Sequence, residues 1–157
     1  MKNPLKLFIC IVGCELVGIT GGLFTANAIP GWYQTLNRPF FSPPNWVFGP
    51  VWTTLYFLMG VAAYLIWSKG LNKNKSKQAW IYFSIQLALN FSWSIVFFNL
   101  QSIALAFLII LALLYSIYKT YQAFSKISPV AGKLLIPYLL WVSFASIINL
   151  SLLILNP

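Results

Sequence analysis

Five stretches of this 157-residue chain are long, apolar and almost free of charge, at about 5–27, 46–67, 79–98, 103–124 and 134–155. Crossing about 30 Å of hydrocarbon takes roughly 20 helical residues, and every stretch meets that length. Only Lys6, at its start, and Glu15 in the first and Lys119 near the end of the fourth interrupt them. Backbone polar groups inside a bilayer must be satisfied within the protein, which a helix of this length does by itself, so these stretches are read as helices. A composition that is 60% hydrophobic and 7% charged lies far outside the soluble globular range. The chain is therefore expected to be an all-α membrane protein, a single integral membrane domain over residues 1–157 built as a bundle of five transmembrane helices.

The charges give an independent test of that count, because basic residues gather in the short cytoplasmic loops of membrane proteins. Five crossings put Lys2, Lys6, Lys69, Lys73, Lys75, Lys77, Lys119, Lys126 and Lys133 on one side and only Arg38 on the other. The N-terminus is accordingly expected inside and the C-terminus outside, in what reads as a bacterial cytoplasmic membrane. The net charge of +9 then needs no nucleic acid partner, and the lysines serve as topology signals and contacts for anionic headgroups. Lys2 and Lys6, an apolar run and Ala26-Asn27-Ala28 imitate a cleaved secretory leader. The run is longer than a leader core and carries Glu15, so it is read as a retained span.

Much chemistry is excluded. The sequence has no histidine and one carboxylate side chain, which removes paired-carboxylate hydrolysis, Ser-His-Asp and Cys-His nucleophiles and the common zinc and iron ligand sets. Cys10 and Cys14, four apart on one helix face, neither close a disulfide across the fold nor suffice for a metal. No metal and no required cofactor is expected; any chemistry would rest on aromatic side chains or on a bound ligand.

The connection between the first two spans differs in kind from the others. Residues 28–45, "AIPGWYQTLNRPFFSPPN", hold aromatics, prolines and Arg38 with little flexible filler, the composition of an ordered lid. Ser42 is a suitable N-cap and Pro43 a suitable first-turn residue, which predicts that the second helix starts near Pro43. Pro50, farther in, removes a backbone bond and predicts a bend that re-aims Trp52.

Periodicity then picks out three helix faces. Gln86, Asn90, Trp93 and Phe97 share one face of the third span; Tyr138, Trp141, Ala145 and Asn149 share one of the fifth; Trp52, Tyr56 and Gly60 share one of the second. Buried amides need partners, so these faces are expected to point inward, where a flat, polar-edged ligand is one candidate partner and interhelical bonds are the other. Trp32, Trp46, Trp67 and Trp80, at span ends, read as an interfacial belt. Trp52 and Trp93 are placed in the outer half and Trp141 nearer the inner half, so a pocket touching all three must be deep. Cys10, Cys14, Gly18 and Gly22 form a small-residue stripe read as packing within the bundle, and Ser84, Ala88 and Ser92 form another, read as a homodimer surface. Glu15 is expected to be protonated and hydrogen-bonded inside the bundle.

Three segments carry a resemblance. "WYQTLNRPFFSPPNWVFGPVWTTLY" (Trp32–Tyr56) is similar to the pattern W-Y-x-x-L-x-K-P-x-W-x-P-P-x-W-x-F-x-P-V-W-T-x-L-Y of the TspO/MBR family, the translocator proteins once called peripheral-type benzodiazepine receptors. "QLALNFSW" with the "FF" that follows (Gln86–Phe98) resembles that family's third helix, and "SPVAGKLLIPYLLWVSFASIIN" (Ser128–Asn149) its fifth. The resemblance implies a homodimeric five-helix bundle that binds porphyrins, sterols and synthetic drug ligands in a cavity roofed by the first loop. By matching positions the site would comprise Tyr33, Trp52, Tyr56, Asn90, Trp93, Trp141 and Ala145, with Asn149 on the same helix face. Trp52 and Trp141 match tryptophans implicated in light-dependent porphyrin breakdown. Phe41, Arg38 and Ser94 stand where the family usually has Trp, Lys and Pro; Arg38 keeps the charge and suits a porphyrin propionate. The tail "LSLLILNP" lacks the Tyr and base of a sterol pattern, so sterol binding is doubtful. The resulting expectation is a tetrapyrrole-binding sensor or scavenger. A photo-oxidative enzyme, a transporter and a scaffold whose aromatics merely pack are its rivals.

Overall fold

The computed structural model describes residues 3–71 and 73–157; Lys2, counted above among the charges of one side, lies outside them. Helix α1 covers Pro4–Ala28 and runs on as a π-helical turn, Ile29–Tyr33. Helix α2 is Asn45–Ser68, and α3 is Asn74–Ser94, extended by a second π turn, Ile95–Asn99. Helix α4 is Ile103–Ile127, and the last span consists of α5, Pro129–Leu134, and α6, Ile136–Leu155. Five helical segments, Pro4–Tyr33, Asn45–Ser68, Asn74–Asn99, Ile103–Ile127 and Pro129–Leu155, are long and apolar enough to cross a membrane. The all-α, five-span, multi-pass architecture read from the sequence is the one observed.

The element ends follow local chemistry. Asn3 caps α1, its side chain accepting from the Lys6 amide at 3.2 Å, and Pro4 occupies the first turn, where a missing N–H leaves nothing unbonded. Gly70, at φ +100°, ends α2 in a conformation that a side chain would strain. Ser128 accepts from the Ala131 amide at 3.3 Å and is followed by Pro129, so the cap-then-proline signal that Ser42-Pro43 suggested operates instead at α5. Helix α2 does not begin near Pro43. A residue before proline is driven out of the α region, and Pro43 precedes Pro44, which itself is extended (φ −57°, ψ 148°); the first helical residue is Asn45. Helix α2 continues unbroken through Pro50.

The long loop is shorter than expected, because α1 carries on helically past Ala28. The π turn starts at Ile29, next to Pro30, where a change of register accommodates a residue with no N–H and a ring that crowds the preceding turn. The remaining irregular stretch is tied to the other end of the chain: Asn37 donates its amide to Asn156 Oδ1 at 2.9 Å, and Asn156 Nδ2 donates to the Asn37 carbonyl at 3.0 Å. In the fifth span Pro137 cannot donate to the carbonyl four residues back, and the helix is interrupted at Leu135 between α5 and α6.

The spans form a closed ring in which α1 lies against α2, α2 against α5, α5 and α6 against α4, α4 against α3, and α3 against α1. In the N-terminal half of α1 and the C-terminal half of α2 the two helices meet backbone to backbone: a Cβ on Gly60 would lie 2.6 Å from Ile11 Cα. Farther along toward the C-terminal end of α1, the Tyr56 ring lies on Gly18, where an added Cβ would meet it at 2.5 Å. Cys10, Cys14 and Gly18 thus do pack within the bundle, as the stripe suggested. Gly22 departs from the expectation, since nothing lies within 4 Å of a Cβ placed there. Helices α1 and α2 touch at one end and part at the other. Replacing Gly60 by Val is expected to destabilise the bundle by about 1–3 kcal/mol through overpacking, whereas Gly22→Ala should leave the melting of the detergent-solubilised protein unchanged.

Candidate functional site

Where α1 and α2 part, a cavity of about 350 Å³ opens, walled by α1, α2, α3 and α6. No residue of α4 lines it. Its exposed rim includes Ile19, Gly22 and Ala26 of α1 and Gly49 and Thr53 of α2, so the mouth opens sideways between these two helices, toward the C-terminal end of α1 and the N-terminal end of α2. Its walls include the indoles of Trp52, Trp93 and Trp141 together with Tyr56, Asn90 and Ala145. These six were all singled out in the sequence, and the structure brings them to one space. The last span is longer than its uncharged window, because α5 adds a turn and more at its N-terminal end; Trp141 therefore sits near mid-span, its ring 6.2 Å from that of Phe48.

The floor is a chain of buried hydrogen bonds. Tyr56 donates its hydroxyl to Asn90 Oδ1 at 2.7 Å, Asn90 Nδ2 donates to the Tyr138 hydroxyl at 2.6 Å, and Tyr138 donates to Gln86 Oε1 at 2.8 Å. Gln86 Nε2 in turn reaches Met59 Sδ at 3.7 Å. Both amides of α3 are thus satisfied by phenols of α2 and α6, and Asn90 presents to the cavity a side chain that is already bonded at both ends. Trp52 packs on this floor, 5.7 Å from Tyr56 and 6.2 Å from Tyr138 between ring centres.

Asn149, Tyr33 and Arg38 lie around the cavity rather than in its walls. Asn149 is buried, accepts from Trp93 Nε1 at 3.0 Å and donates to the Ile103 carbonyl at 3.1 Å, so it orients an indole and ties α6 to the start of α4. Tyr33 is buried against Phe48, Phe97 and Phe98, and with Asn149 it lines a space of about 40 Å³ adjoining the cavity. Arg38 sits over the Tyr33 ring at 5.3 Å and donates to Asn45 Oδ1 at 3.4 Å; Asn45, the first residue of α2, does line the cavity. Glu15 is half-buried in the wall and makes no hydrogen bond among the described residues, so the expected bond within the bundle is absent.

Two features were not visible to sequence reasoning. The π turn after Ser94 shifts the register so that Phe98 reaches the cavity while Phe97 stacks on Trp93 at 5.0 Å. Trp141 separates the cavity from an open apolar groove between α2 and α6, lined by Pro50 and Pro137, and its indole N–H has no partner among the described residues. Of the tryptophans assigned to the belt, none lines the cavity; Trp46 is 75% exposed and Trp67 lies beneath the Lys6 ammonium at 5.1 Å.

Fold and site together define a five-span membrane protein with a laterally open, aromatic-walled cavity. Residues 10–155 match the TspO/MBR family model. The chain is 42% identical to the tryptophan-rich protein TspO of Chlorobaculum tepidum, with 99% of each chain covered, and 42% identical to that of Archaeoglobus fulgidus, covering 98% of this chain and 99% of the relative. It is 38% identical to the translocator protein of Ovis aries over 88% of this chain and 85% of the relative. The chain belongs to the TspO/MBR family.

Removing the Tyr138 hydroxyl leaves buried amide groups of both Asn90 and Gln86 bare, whereas removing that of Tyr56 leaves one. At about 1–3 kcal/mol for each unsatisfied group, Tyr138→Phe is expected to lower thermal stability in detergent more than Tyr56→Phe does. Asn156→Ala, which removes two of the three hydrogen bonds between Asn37 and the end of the chain and leaves only Asn37 Nδ2 to the Leu155 carbonyl at 3.4 Å, is expected to speed proteolysis within residues 36–44 without changing the melting of the helices.

Proposed function

We propose that this protein binds a flat tetrapyrrole of the protoporphyrin type in the α1–α2 cavity and acts as a stress-linked sensor or scavenger. One observation carries the reading: three indoles from three different helices line one apolar space that opens sideways. Ligand sites of about 300–1,000 Å³ are usual for drug-sized molecules, and about 350 Å³ suits a compact aromatic drug of the benzodiazepine-receptor type. A tetrapyrrole is a wider plate. It would lie with one edge on the Tyr56–Asn90 floor and the other projecting through the glycine rim, with a propionate within reach of Arg38 beside Asn45. Related proteins named a tryptophan-rich sensory protein, from Cereibacter sphaeroides, and a translocator protein, from Homo sapiens, fit ligand-dependent signalling or movement.

A second reading has one specific support. Trp52 and Trp141 are both half-buried in the cavity wall, so both would flank a bound macrocycle. Under light, porphyrin-sensitised dioxygen would then be the oxidant and the macrocycle or an indole the group oxidised. Transport, of porphyrin or sterol, ranks below both. We also assign the exposed Ser84 and Ala88, with half-buried Ser92, to a homodimer contact, and the lysine-rich ends to the cytoplasmic face of a bacterial membrane.

Titrating the purified protein with protoporphyrin in the dark should quench tryptophan fluorescence saturably. Trp52→Phe and Arg38→Ala should each weaken binding about tenfold, a change of roughly 1.4 kcal/mol. Illumination that leaves the porphyrin spectrum intact supports binding alone; a new chromophore lost in Trp52→Phe supports the enzymatic reading. Quenching that never saturates returns the aromatic walls to ordinary packing.

A further inference from the structure

At the opposite end of the bundle from the cavity mouth, α3 and α4 flank a polar surface pocket of about 170 Å³, with Lys75, Gln78 and Lys126 exposed at its edge; that is several times the share of liquid volume, about 30 Å³, that one water takes. Lys75, Gln78 and Tyr82 recur at 3 and 7 along α3, and Lys119, Gln122 and Lys126 recur at the same spacing along α4. The helices are antiparallel, so the two stripes face each other and put three ammonium groups and two amides around one space. The chain offers them no counter-charge: its one carboxylate side chain is Glu15, which lines the other cavity, and none of the three lysines forms an ion pair among the described residues. Lys119 is the most demanding. It lies two turns inside the end of α4, half-buried, with its ammonium 5.6 Å from the centre of the Tyr115 ring. A cation at that depth of a membrane span calls for an anion beside it.

We propose that this pocket binds the phosphate of an anionic phospholipid headgroup. Phosphate chemistry follows from the donors, which are several, convergent and all positive or neutral. A lipid rather than free phosphate follows from what lies next along the same stripes. Toward the bilayer centre Tyr82 gives way to Ile85 on α3, and Lys119 to Tyr115 and Leu111 on α4, all three exposed. The pocket therefore sits at the head of an uncovered apolar wall where acyl chains can lie.

The test is native mass spectrometry of the detergent-solubilised protein titrated with phosphatidylglycerol or with phosphatidylcholine of the same chains. Phosphatidylglycerol is expected to bind about tenfold more tightly than phosphatidylcholine, and Lys119→Ala/Lys126→Ala is expected to abolish that preference. The control pair Lys69→Ala/Lys133→Ala, equal in charge but outside the pocket, should keep it. Lys119→Gln, with its melting checked against wild type, serves if the alanine pair does not fold. Equal loss in both pairs, or no preference in the wild type, overturns the proposal. So does inorganic phosphate that raises the melting temperature through Lys119 and displaces the lipid, because the site would then take a soluble anion.

Discussion

The relay of hydrogen bonds from Tyr56 through Asn90 and Tyr138 to Gln86 is the interaction on which the rest of this bundle depends. In a bilayer an amide with no partner costs several kcal/mol, so α3 can present two amides to the interior only if neighbouring helices bring donors and acceptors to them at bonding distance. The phenols of α2 and α6 do so, and in doing so they fix the rotation of three helices about their own axes at once. Trp52, Trp93, Trp141 and Ala145 then face the same space as a consequence. The polar floor is structural and the aromatic walls are available.

Helix α2 is held unevenly. Its C-terminal half is locked through Gly60 onto the backbone of α1 and rests on α5, while its N-terminal half leaves a gap to α1 along the cavity rim and meets α6 through aromatic rings, Phe48 on Trp141 and Trp52 on Tyr138, beside the groove at Pro50 and Pro137. The prolines around the start of α2 make sense in that light. Pro43 and Pro44 deliver the chain to Asn45 in an extended path, and Asn37 fastens the incoming loop to Asn156 at the end of α6. The loosely packed part of α2 is thereby bounded by a stiff connection on one side and a close-packed contact on the other.

The faces of α2, α3 and α6 were legible in the sequence because a helix repeats every 3.6 residues and polar groups in a membrane have few places to go. Six cavity residues followed from that alone. Departures came where one local effect outweighed another. Ser42 and Pro43 look like a helix start, yet Pro44 forbids it. Charged ends hid the extra turns of α3 and α5, since Lys75, Lys77 and Lys133 fall outside any uncharged window. The two π turns carry no simple signal, and they decide that Tyr33 belongs to a helical extension and that Phe98 reaches the cavity. Asn149 sits on the predicted face, but its partner Trp93 could be identified only in three dimensions.

The sideways mouth has a consequence for how occupancy is governed. An opening between two membrane-spanning helices, rather than at a bundle end, offers a route through the bilayer, so an apolar ligand of the kind proposed would reach the cavity from solution in the lipid. Its relevant concentration is then the one set by partitioning, and the same total amount of ligand fills the site less as lipid volume increases. Occupancy becomes a two-dimensional property of the membrane, and a molecule excluded from the bilayer is excluded from the cavity however well it fits.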